Sequence, residues 1–386
     1  MPVTGRPEGP GLVCPAALAS AADGALMALK ALADDRSLFP ACGALLLGER
    51  ARLLGLIRRG RTSANGSCRL LDAGDGRIAL NLAREEDRPL AGVLAGVETG
   101  EWSALARGIA RQQVDDLLAR GIELGLPIAR DAAPRPAERL FAPLAGGAPR
   151  PDRRPLVLDL SSLWAGPLAA SLLRMAGAQV VKVESRARPD GARFGHGGFH
   201  DLLNAGKYSV LLDFARADDL ARLRALIDRA DIVIEASRPR ALRRLGIDRD
   251  AAVARGGVWI SLTAHPDEDR VGFGDDAAIE AGVATLMAEA WGEPGFAGDA
   301  IADPLTGLHA ALAGWAAWRR GAGCLIRLSL SGTVSHALRA GTADQAGVQL
   351  WQAAAEADRA PLYPLRRAEG TARPAGADTA EIFARC

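Results

Sequence analysis

Short apolar runs alternate with segments of helical periodicity between residues 155 and 264, and this rhythm constrains the fold more than any other feature. Five runs have the length and apolar content of buried strands: LVLDL, QVVKVE, YSVLLDF, DIVIEA and GGVWISLTA. Strands that alternate with helices predict a parallel sheet with right-handed crossovers. We therefore expect an α/β fold, with a Rossmann-like parallel-sheet large domain and a smaller α+β domain.

The N-terminal third has a different pattern, which predicts mixed helix and strand. The run ALMALKALA has helical character, and SCRLLDAGDGRIALNLA predicts a β-hairpin whose turn contains Asp75-Gly76. We expect one polar-faced helix from Ser103 to Arg120, and then a short strand within GIELGLPIA. At the other end of the chain, DTAEIFAR predicts a terminal helix with Asp378 as its N-cap and Glu381 in the capping-box position.

Shifts in composition divide the chain into four predicted parts. Its 386 residues are enough for two or three domains. A stretch rich in proline, glycine and arginine separates two packed regions and predicts a linker. The expected parts are a small-domain-like α+β region at 1–129, a linker at 130–154, a Rossmann-like large domain at 155–340 and a C-terminal extension at 341–386.

The balance of charges argues against two classes of partner. Lys and Arg total 47 while Asp and Glu total 46, which leaves a formal net charge of +1. Binding to nucleic acid or to a membrane surface usually needs a basic face or run, so we expect neither partner. The chain has no run of 18 or more uncharged apolar residues and no signal-peptide pattern, which predicts a cytoplasmic protein.

Two common kinds of cofactor lack their sequence motifs here. The five cysteines form no C-x-x-C pair, so no metal site is expected. The first strand–helix turn reads SSLWAGP and lacks the G-x-G-x-x-G glycines, although Glu184 follows Asp159 at the distance typical of nicotinamide enzymes. Such a helix start can bind another anion, or it can be a turn with no ligand.

Two groups of carboxylates are candidates for chemistry. Asp303 directly precedes Pro304 in IADPLTGLHAALAGWAAW, which predicts a helix N-cap. An exposed carboxylate there can also act as a nucleophile once a site desolvates it. Asp275 and Asp276 in GFGDDAAIEAG are acid–base candidates, although adjacent acids at a helix start are more often capping residues.

An arginine cluster follows the fourth predicted strand in IEASRPRALRRLGI. Arg244 belongs to it, and the cluster lies just beyond the carboxyl end of a parallel strand, where α/β folds place their ligands. Guanidinium groups bind phosphates through paired hydrogen bonds. A solvated basic face is the alternative reading of the same residues.

One segment of the chain echoes another. TGRPEGP followed by ASAADGALMALKAL near the start is similar to WGEPGFAG followed by AIADPLTGLHAALAG at 291–315. When Gly24 is aligned on Gly307, Ser20 occupies the position of Asp303. The alignment needs a four-residue gap, and Ala/Gly-rich segments often resemble one another by chance.

Taken in order, the segments from LVLDLSSLWAGPLAASLLRMAGAQVVKVES to AIADPLTGLHAALAGWAAW resemble the class III CoA-transferase family, which includes transferases and alpha-methylacyl-CoA racemases. The resemblance covers roughly residues 155 to 335. The N-terminal region and the closing GADTAEIFARC are similar to the small-domain and C-terminal segments of that family, so the chain resembles a rearranged version with the small domain first. Ser20 would then be the remnant of a second catalytic aspartate.

The resemblance implies an activity, a cofactor and site residues. Asp303 matches the aspartate that attacks an acyl-CoA, and an enzyme–CoA thioester then passes CoA to a second carboxylic acid. Arg186, Ala241 and Arg244 match positions that hold the CoA phosphates and adenosine, and Trp164 matches a loop residue near the thioester. Ala236-Ser237 stands where the family has Asn-Phe, at an adenine or ribose contact. Members of the family form intertwined dimers, so the resemblance also implies a homodimer.

Three activities remain open from the sequence. Transfer of CoA between an acyl-CoA and a carboxylic acid is the one that the resemblance favours. A racemase would use Asp303 with Asp275 or Asp276, although racemases of the family have a histidine where this chain has Asp275. A non-catalytic homologue would act as a scaffold or partner subunit.

Overall fold

The computed structural model describes residues 3–134, 140–141, 153–321, 323–357 and 365–384. The strands are β1 (Cys68–Ala73), β2 (Gly76–Asn81), β3 (Ile128–Arg130), β4 (Leu156–Asp159), β5 (Gln179–Ser185), β6 (Tyr208–Leu212), β7 (Ile232–Glu235), β8 (Val258–Thr263) and β9 (Cys324–Ser329). The helices are α1 (Leu18–Leu32), α2 (Ala44–Leu53), α3 (Asp87–Ala95), α4 (Trp102–Ile109), α5 (Val114–Glu123), α6 (Ala165–Met175), α7 (Gly197–Asn204), α8 (Ala217–Arg229), α9 (Pro239–Arg244), α10 (Arg249–Ala254), α11 (Gly274–Glu280), α12 (Val283–Trp291), α13 (Ala302–Arg319), α14 (Leu330–Arg339), α15 (Gln345–Ala357) and α16 (Thr379–Ala384). A 3₁₀ turn spans Gly191–Phe194.

Six of the strands form one parallel sheet in the order β6-β5-β4-β7-β8-β9. Counted from β4, this is the order 3-2-1-4-5-6 of a doubly wound α/β sheet, in which ligands bind beyond the carboxyl ends of the two central strands. Strands such as β7 are buried along their whole length, because helices cover both faces of the sheet. The predicted α/β fold with a parallel sheet is confirmed.

The sheet has one strand more than the sequence analysis predicted. Strand β9 lies at the edge beside β8, and its pattern CLIRLS leaves Arg327 exposed. The run mixes polar with apolar residues and begins a few residues after a long helix, so its apolar signal is weaker than that of the five central runs. The opposite edge strand, β6, is covered at Ser209, where the backbone N–H donates to Asp378 Oδ2 at 2.8 Å. Asp378 therefore binds the sheet edge with its side chain.

The remaining three strands form a separate antiparallel sheet in the order β1-β2-β3. The hairpin prediction is confirmed, but Ala73 pairs with Gly76, so the turn residues are Gly74 and Asp75, one position earlier than expected. The prediction of a single helix from Ser103 to Arg120 is wrong. Helices α4 and α5 are separated at residues 110–113, where the Gln112 carbonyl accepts a hydrogen bond from Gly74 N–H.

The small sheet packs directly against the helix that carries Asp275 and Asp276. One of its faces packs on α3, α4 and α5, and the other presents Leu70 and Ala79 to Ile279 of α11 and Phe296. This packing brings side chains from the N-terminal third to the start of α11. The four-part division of the chain stays a prediction, since most of its proposed linker, 130–154, lies outside the described residues.

Helix α13 is buried on nearly every side between α1, α6 and the parallel sheet. Its sequence is apolar all round, which is typical of a helix in the middle of a core. It approaches α6 closely, because a Cβ at Gly307 would lie 2.7 Å from the carbonyl oxygen of Ala165. This contact fixes the first turn of α13, with Asp303, relative to the loop after β4.

Candidate active site

Four aspartates gather at the first turns of α11 and α13. Asp275 and Asp276 belong to α11, Asp303 belongs to α13, and Asp299 lies in the loop before α13. The Asp303 carboxylate lies against Gly274, where a Cβ would collide with Asp303 Oδ2. The structure therefore brings together the three carboxylates that the sequence analysis singled out, and it adds Asp299.

Asp303 is in the first turn of α13, which begins at Ala302, so it is not the N-cap that the sequence predicted. Its N–H donates to the carbonyl of Ala300 at 2.9 Å. Ala300 has a φ of +42°, in the left-handed region that residues other than glycine rarely adopt. That conformation also directs the Ala300 N–H to Asp275 Oδ1 at 2.9 Å.

The other three carboxylates are sealed from solvent and hydrogen-bonded. Asp275 also accepts from Asn65 Nδ2 at 3.1 Å, and Asp276 accepts from Asn81 Nδ2 at 2.9 Å and from Phe273 N–H at 3.0 Å. Asp299 is paired with Arg50. Asp275, Asp276 and Asp299 are at most 3% exposed, whereas Asp303 keeps part of its surface accessible. Of the four, Asp303 is therefore the one that a substrate can reach most readily.

Burial and mutual repulsion change the ionisation of this cluster. Burial raises the pKa of Asp303 to about 7, Arg50 opposes the rise, and the neighbouring aspartates add to it. Burial also raises the pKa of Asp275 to about 7, with a further contribution from Asp299. A carboxyl with a pKa near neutrality is a stronger nucleophile or base, once ionised, than an ordinary carboxylate.

Arg50 is the cation of the cluster that faces these aspartates from α2. Its Nε and Nη2 donate to the two oxygens of Asp299 at 2.7 and 2.5 Å. Its Cζ lies 4.6 Å from the centre of the Trp164 ring. Sequence reasoning missed Arg50, Asn65 and Asn81, because they lie far along the chain from the aspartates that they contact. Asp299 was missed too, although it lies only four residues before Asp303.

Trp164 is buried, at 2% exposure, and its ring meets Phe199 edge-on at 5.1 Å. The loop that carries Trp164 is held by a hydrogen bond to Asp190. Leu163, which has a φ of +70°, donates its N–H to Asp190 Oδ1 at 2.9 Å. Asp190 in turn pairs with the buried Lys182 at 2.9 Å. The indole therefore supports the guanidinium of Arg50 in this structure, and the thioester contact implied by resemblance remains untested.

The predicted CoA-binding residues lie at the carboxyl ends of the strands on either side of β4. Arg186 follows β5 and is exposed. Ala236 and Ser237 follow β7, and Ser237 N–H donates to Glu235 Oε2 at 2.7 Å. Ala241 and Arg244 are exposed residues of α9, the next helix. The fold thus brings all of these residues to the side of the sheet where the parallel strands have their carboxyl ends. Their role in binding CoA stays a prediction.

The described residues were also compared with the features of a metal site and of a membrane-spanning helix. Within the described residues, no group of three or more His, Cys, Asp or Glu side chains has the arrangement of a metal site. Across the same part of the chain, no helix is long and apolar enough to cross a membrane.

Part of the amino-acid sequence is similar to that of known proteins. An acyl-CoA transferase of Fusarium pseudograminearum is 30% identical over 173 residues, which cover 39% of this chain and 38% of that protein. A succinate–glutarate CoA-transferase of Agrobacterium fabrum is 28% identical over 183 residues, covering 41% and 46%. The chain spans less than half of the length of these two relatives.

A solved structure of a CAIB/BAIF family protein from Brucella suis is 28% identical, with a TM-score of 0.44, and the match covers 49% of this chain and 55% of that one. The family model of CoA-transferase family III matches residues 155–366, which is more than half of the chain. This match confirms the resemblance drawn from the sequence: the chain belongs to CoA-transferase family III.

Proposed function

We propose that the protein transfers coenzyme A between an acyl-CoA thioester and a carboxylic acid, with Asp303 as the reactive carboxylate. The observation that carries the proposal is the state of Asp303. It is the one member of the four-aspartate cluster that keeps accessible surface, and its pKa is raised to about 7. It also lies within the segment that matches the family.

The proposed chemistry divides one difficult exchange into smaller acyl transfers. The Asp303 carboxylate attacks the thioester carbonyl, the C–S bond breaks, and a mixed anhydride and the CoA thiolate result. The thiolate then attacks the aspartyl carbonyl, which releases the first carboxylic acid and leaves an aspartyl–CoA thioester. The acceptor carboxylate attacks that thioester and forms a new anhydride, and the thiolate attacks the acceptor's acyl carbon, which frees Asp303 and the new acyl-CoA.

We place CoA at the carboxyl edge of the parallel sheet. Support comes from the exposed Arg186 and Arg244, which flank the end of β4 on the β5 and β7 sides and can bind phosphates through their guanidinium groups. Ala236, Ser237 and Ala241 offer backbone and small side chains there, which leave room for the adenosine. Calorimetric titration with free CoA should show micromolar binding that Arg244→Ala weakens about tenfold or more, while no binding at millimolar CoA would contradict this placement.

The activity itself is tested by an exchange assay. The protein would be incubated with acetyl-CoA or succinyl-CoA and a set of carboxylic acids, and new acyl-CoA species would be detected by mass spectrometry. We expect at least one donor–acceptor pair to react, and Asp303→Asn to abolish the reaction. If CoA binds but no pair exchanges under any condition, the scaffold or partner-subunit role would replace the transferase.

Racemisation of an acyl-CoA is supported less well. It needs a second proton-handling group that faces the substrate, and Asp275 and Asp276 are both sealed and hydrogen-bonded to asparagine side chains. Incorporation of deuterium at the α-carbon of a 2-methylacyl-CoA would reverse this preference.

The assembly and location of the protein remain part of the proposal. We propose a homodimer on the basis of the family resemblance, and a cytoplasmic location on the basis of the sequence patterns given above. Light scattering at micromolar concentration should give twice the 40.2 kDa mass of one chain, and a mass of one chain would contradict the dimer.

A further inference from the structure

Arg50 faces a cluster of four buried or partly buried carboxylates, and it comes from outside the family match at residues 155–366. It holds Asp299 through two hydrogen bonds and stacks its guanidinium over Trp164. It therefore connects the loop after β4 to the loop that leads into α13 and Asp303. A residue with only a packing role would not need to carry a charge at this position.

Within the described residues, charged groups face Arg50 from α11, from the loop before α13 and from the start of α13, and Asp23 of α1 accepts from the first N–H of α2. Asp299, Asp275 and Asp303 act on Arg50 electrostatically, and Asp276 lies beside them on α11. His265 contacts Asp276 on the far side of α11 and is paired with Glu280. On α2 itself, the neighbouring Glu49 is occupied by Arg366, at 2.7 Å. Among these groups, Arg50 is the cation that acts directly on Asp303.

We propose that Arg50 is a positioning residue that holds the loop leading into Asp303 and favours the ionised form of that carboxylate, so that helix α2 of the N-terminal region influences the reactive group. Arg50 favours the charged form of Asp303, whereas Asp299 opposes it. The two charges of the ion pair therefore act on the pKa of Asp303 in opposite directions. The inference rests on the proposed function, since ionisation of Asp303 matters there because the carboxylate is the nucleophile.

The first measurement needs no catalytic activity. Thermal stability of the protein and of its Asp303→Asn variant is compared from pH 4 to pH 10. A carboxyl with a raised pKa in the folded state destabilises the protein progressively from its ordinary pKa up to its folded pKa, above which the difference stays constant. The pH at which the advantage of Asp303→Asn levels off therefore reports the pKa of Asp303 in the folded protein.

Each substitution at the Arg50–Asp299 ion pair is measured with and without Asp303→Asn. The two charge-removing substitutions should move, in opposite directions, the pH at which the stability advantage of Asp303→Asn levels off. Arg50→Gln removes the positive charge and should raise it by about one unit or more, while Asp299→Asn removes the negative charge and should lower it. Arg50→Lys, which keeps the charge, should leave it nearly unchanged. Arg52→Gln, at an exposed position on the same helix, is the matched control and should have no effect.

A levelling pH that is the same in all these variants would overturn the proposal, because a purely structural role for Arg50 predicts equal values. If Arg50→Gln does not fold, Arg50→Met, an uncharged side chain that can still pack on Trp164, decides in its place, and it should raise the levelling pH as Arg50→Gln does. Where exchange activity is found, the acid limb of the kcat/KM profile should shift in the same directions. Failure to find any exchange would remove the proposed function, while the stability titration would still test the effect of Arg50 on Asp303.

Discussion

Helices α1 and α13 share a sequence pattern but differ in what surrounds their first turns. The two helices run side by side in the same direction. At their starts, Ser20 of α1 and Ile301 before α13 line one cavity of about 680 Å³. Towards their far ends, Trp315 Nε1 of α13 donates to the Leu32 carbonyl of α1. Ser20 is exposed at the cavity, while Asp303 lies among carboxylates against Gly274. The two helices therefore share a sequence pattern, but the segments around their first turns give those turns different chemical character.

The glycines that align in the two helices show the same contrast. A Cβ at Gly24 would meet nothing within 4 Å, whereas one at Gly307 would approach the Ala165 carbonyl. The start of α13 is therefore fixed tightly against α6, and the start of α1 is not fixed in this way. A reactive carboxylate needs that fixed position, because small displacements of a nucleophile reduce its effectiveness sharply.

The largest expected effect separates Asp303 from Ser20. Asp303→Asn should reduce CoA transfer by at least about 1000-fold, because it removes the proposed nucleophile. Ser20→Ala should change the rate by less than about twofold, since that side chain faces a cavity outside the aspartate cluster. The exchange assay with both variants checks the pair, and equal losses would mean that the two first turns are not functionally different.

The pH dependence of stability should also distinguish Asp303. Its pKa is raised from 3.8 to about 7, so ionising it costs folding free energy that Asp303→Asn avoids. The variant should therefore be more stable than the wild type above pH 7, by up to about 4 kcal/mol, and the advantage should vanish as the pH falls towards 4. Denaturant unfolding at pH 4 and pH 8 measures this. An advantage that is the same at both values would show that Asp303 titrates normally.

A smaller difference is expected between the aligned glycines. Gly307→Ala should lower the free energy of unfolding by about 1–3 kcal/mol, because the added methyl group is forced against the backbone of α6. Gly24→Ala has room and should be neutral or stabilising by about 0.5–1 kcal/mol. Urea unfolding of both variants tests this, and similar losses in the two would show that α1 is packed as tightly as α13.

The smallest effect is predicted for restoring the aspartate at the echo position. Ser20→Asp should produce no second reactive carboxylate, because the position is exposed and lacks the buried neighbours that raise the pKa of Asp303. Transfer by the double variant Asp303→Asn, Ser20→Asp should stay as low as in Asp303→Asn alone. Recovery of activity would mean that the helix pattern by itself is enough to make a site.

The sequence predicted the parallel sheet well, since the mainly apolar runs of β4 to β8 alternate with segments of helical periodicity. It also singled out Asp303, Asp275 and Asp276 from their positions at predicted helix starts, and the structure places them together, while their chemical roles stay predictions. It could not predict that Arg50, Asn65 and Asn81 complete the cluster, since contacts between residues more than 150 positions apart leave no periodic signal. The edge strand β9 and the break between α4 and α5 were missed because their patterns are weak.

Trapping of the acyl–enzyme tests the central claim most directly. The protein would be incubated with an acyl-CoA that supports exchange, treated with hydroxylamine, digested and mapped by mass spectrometry. We predict a hydroxamate at Asp303, absent when acyl-CoA is omitted and absent in Asp303→Asn. A hydroxamate at Asp275 or another residue, or none with a donor that is turned over, would contradict the assignment of Asp303 as the reactive carboxylate.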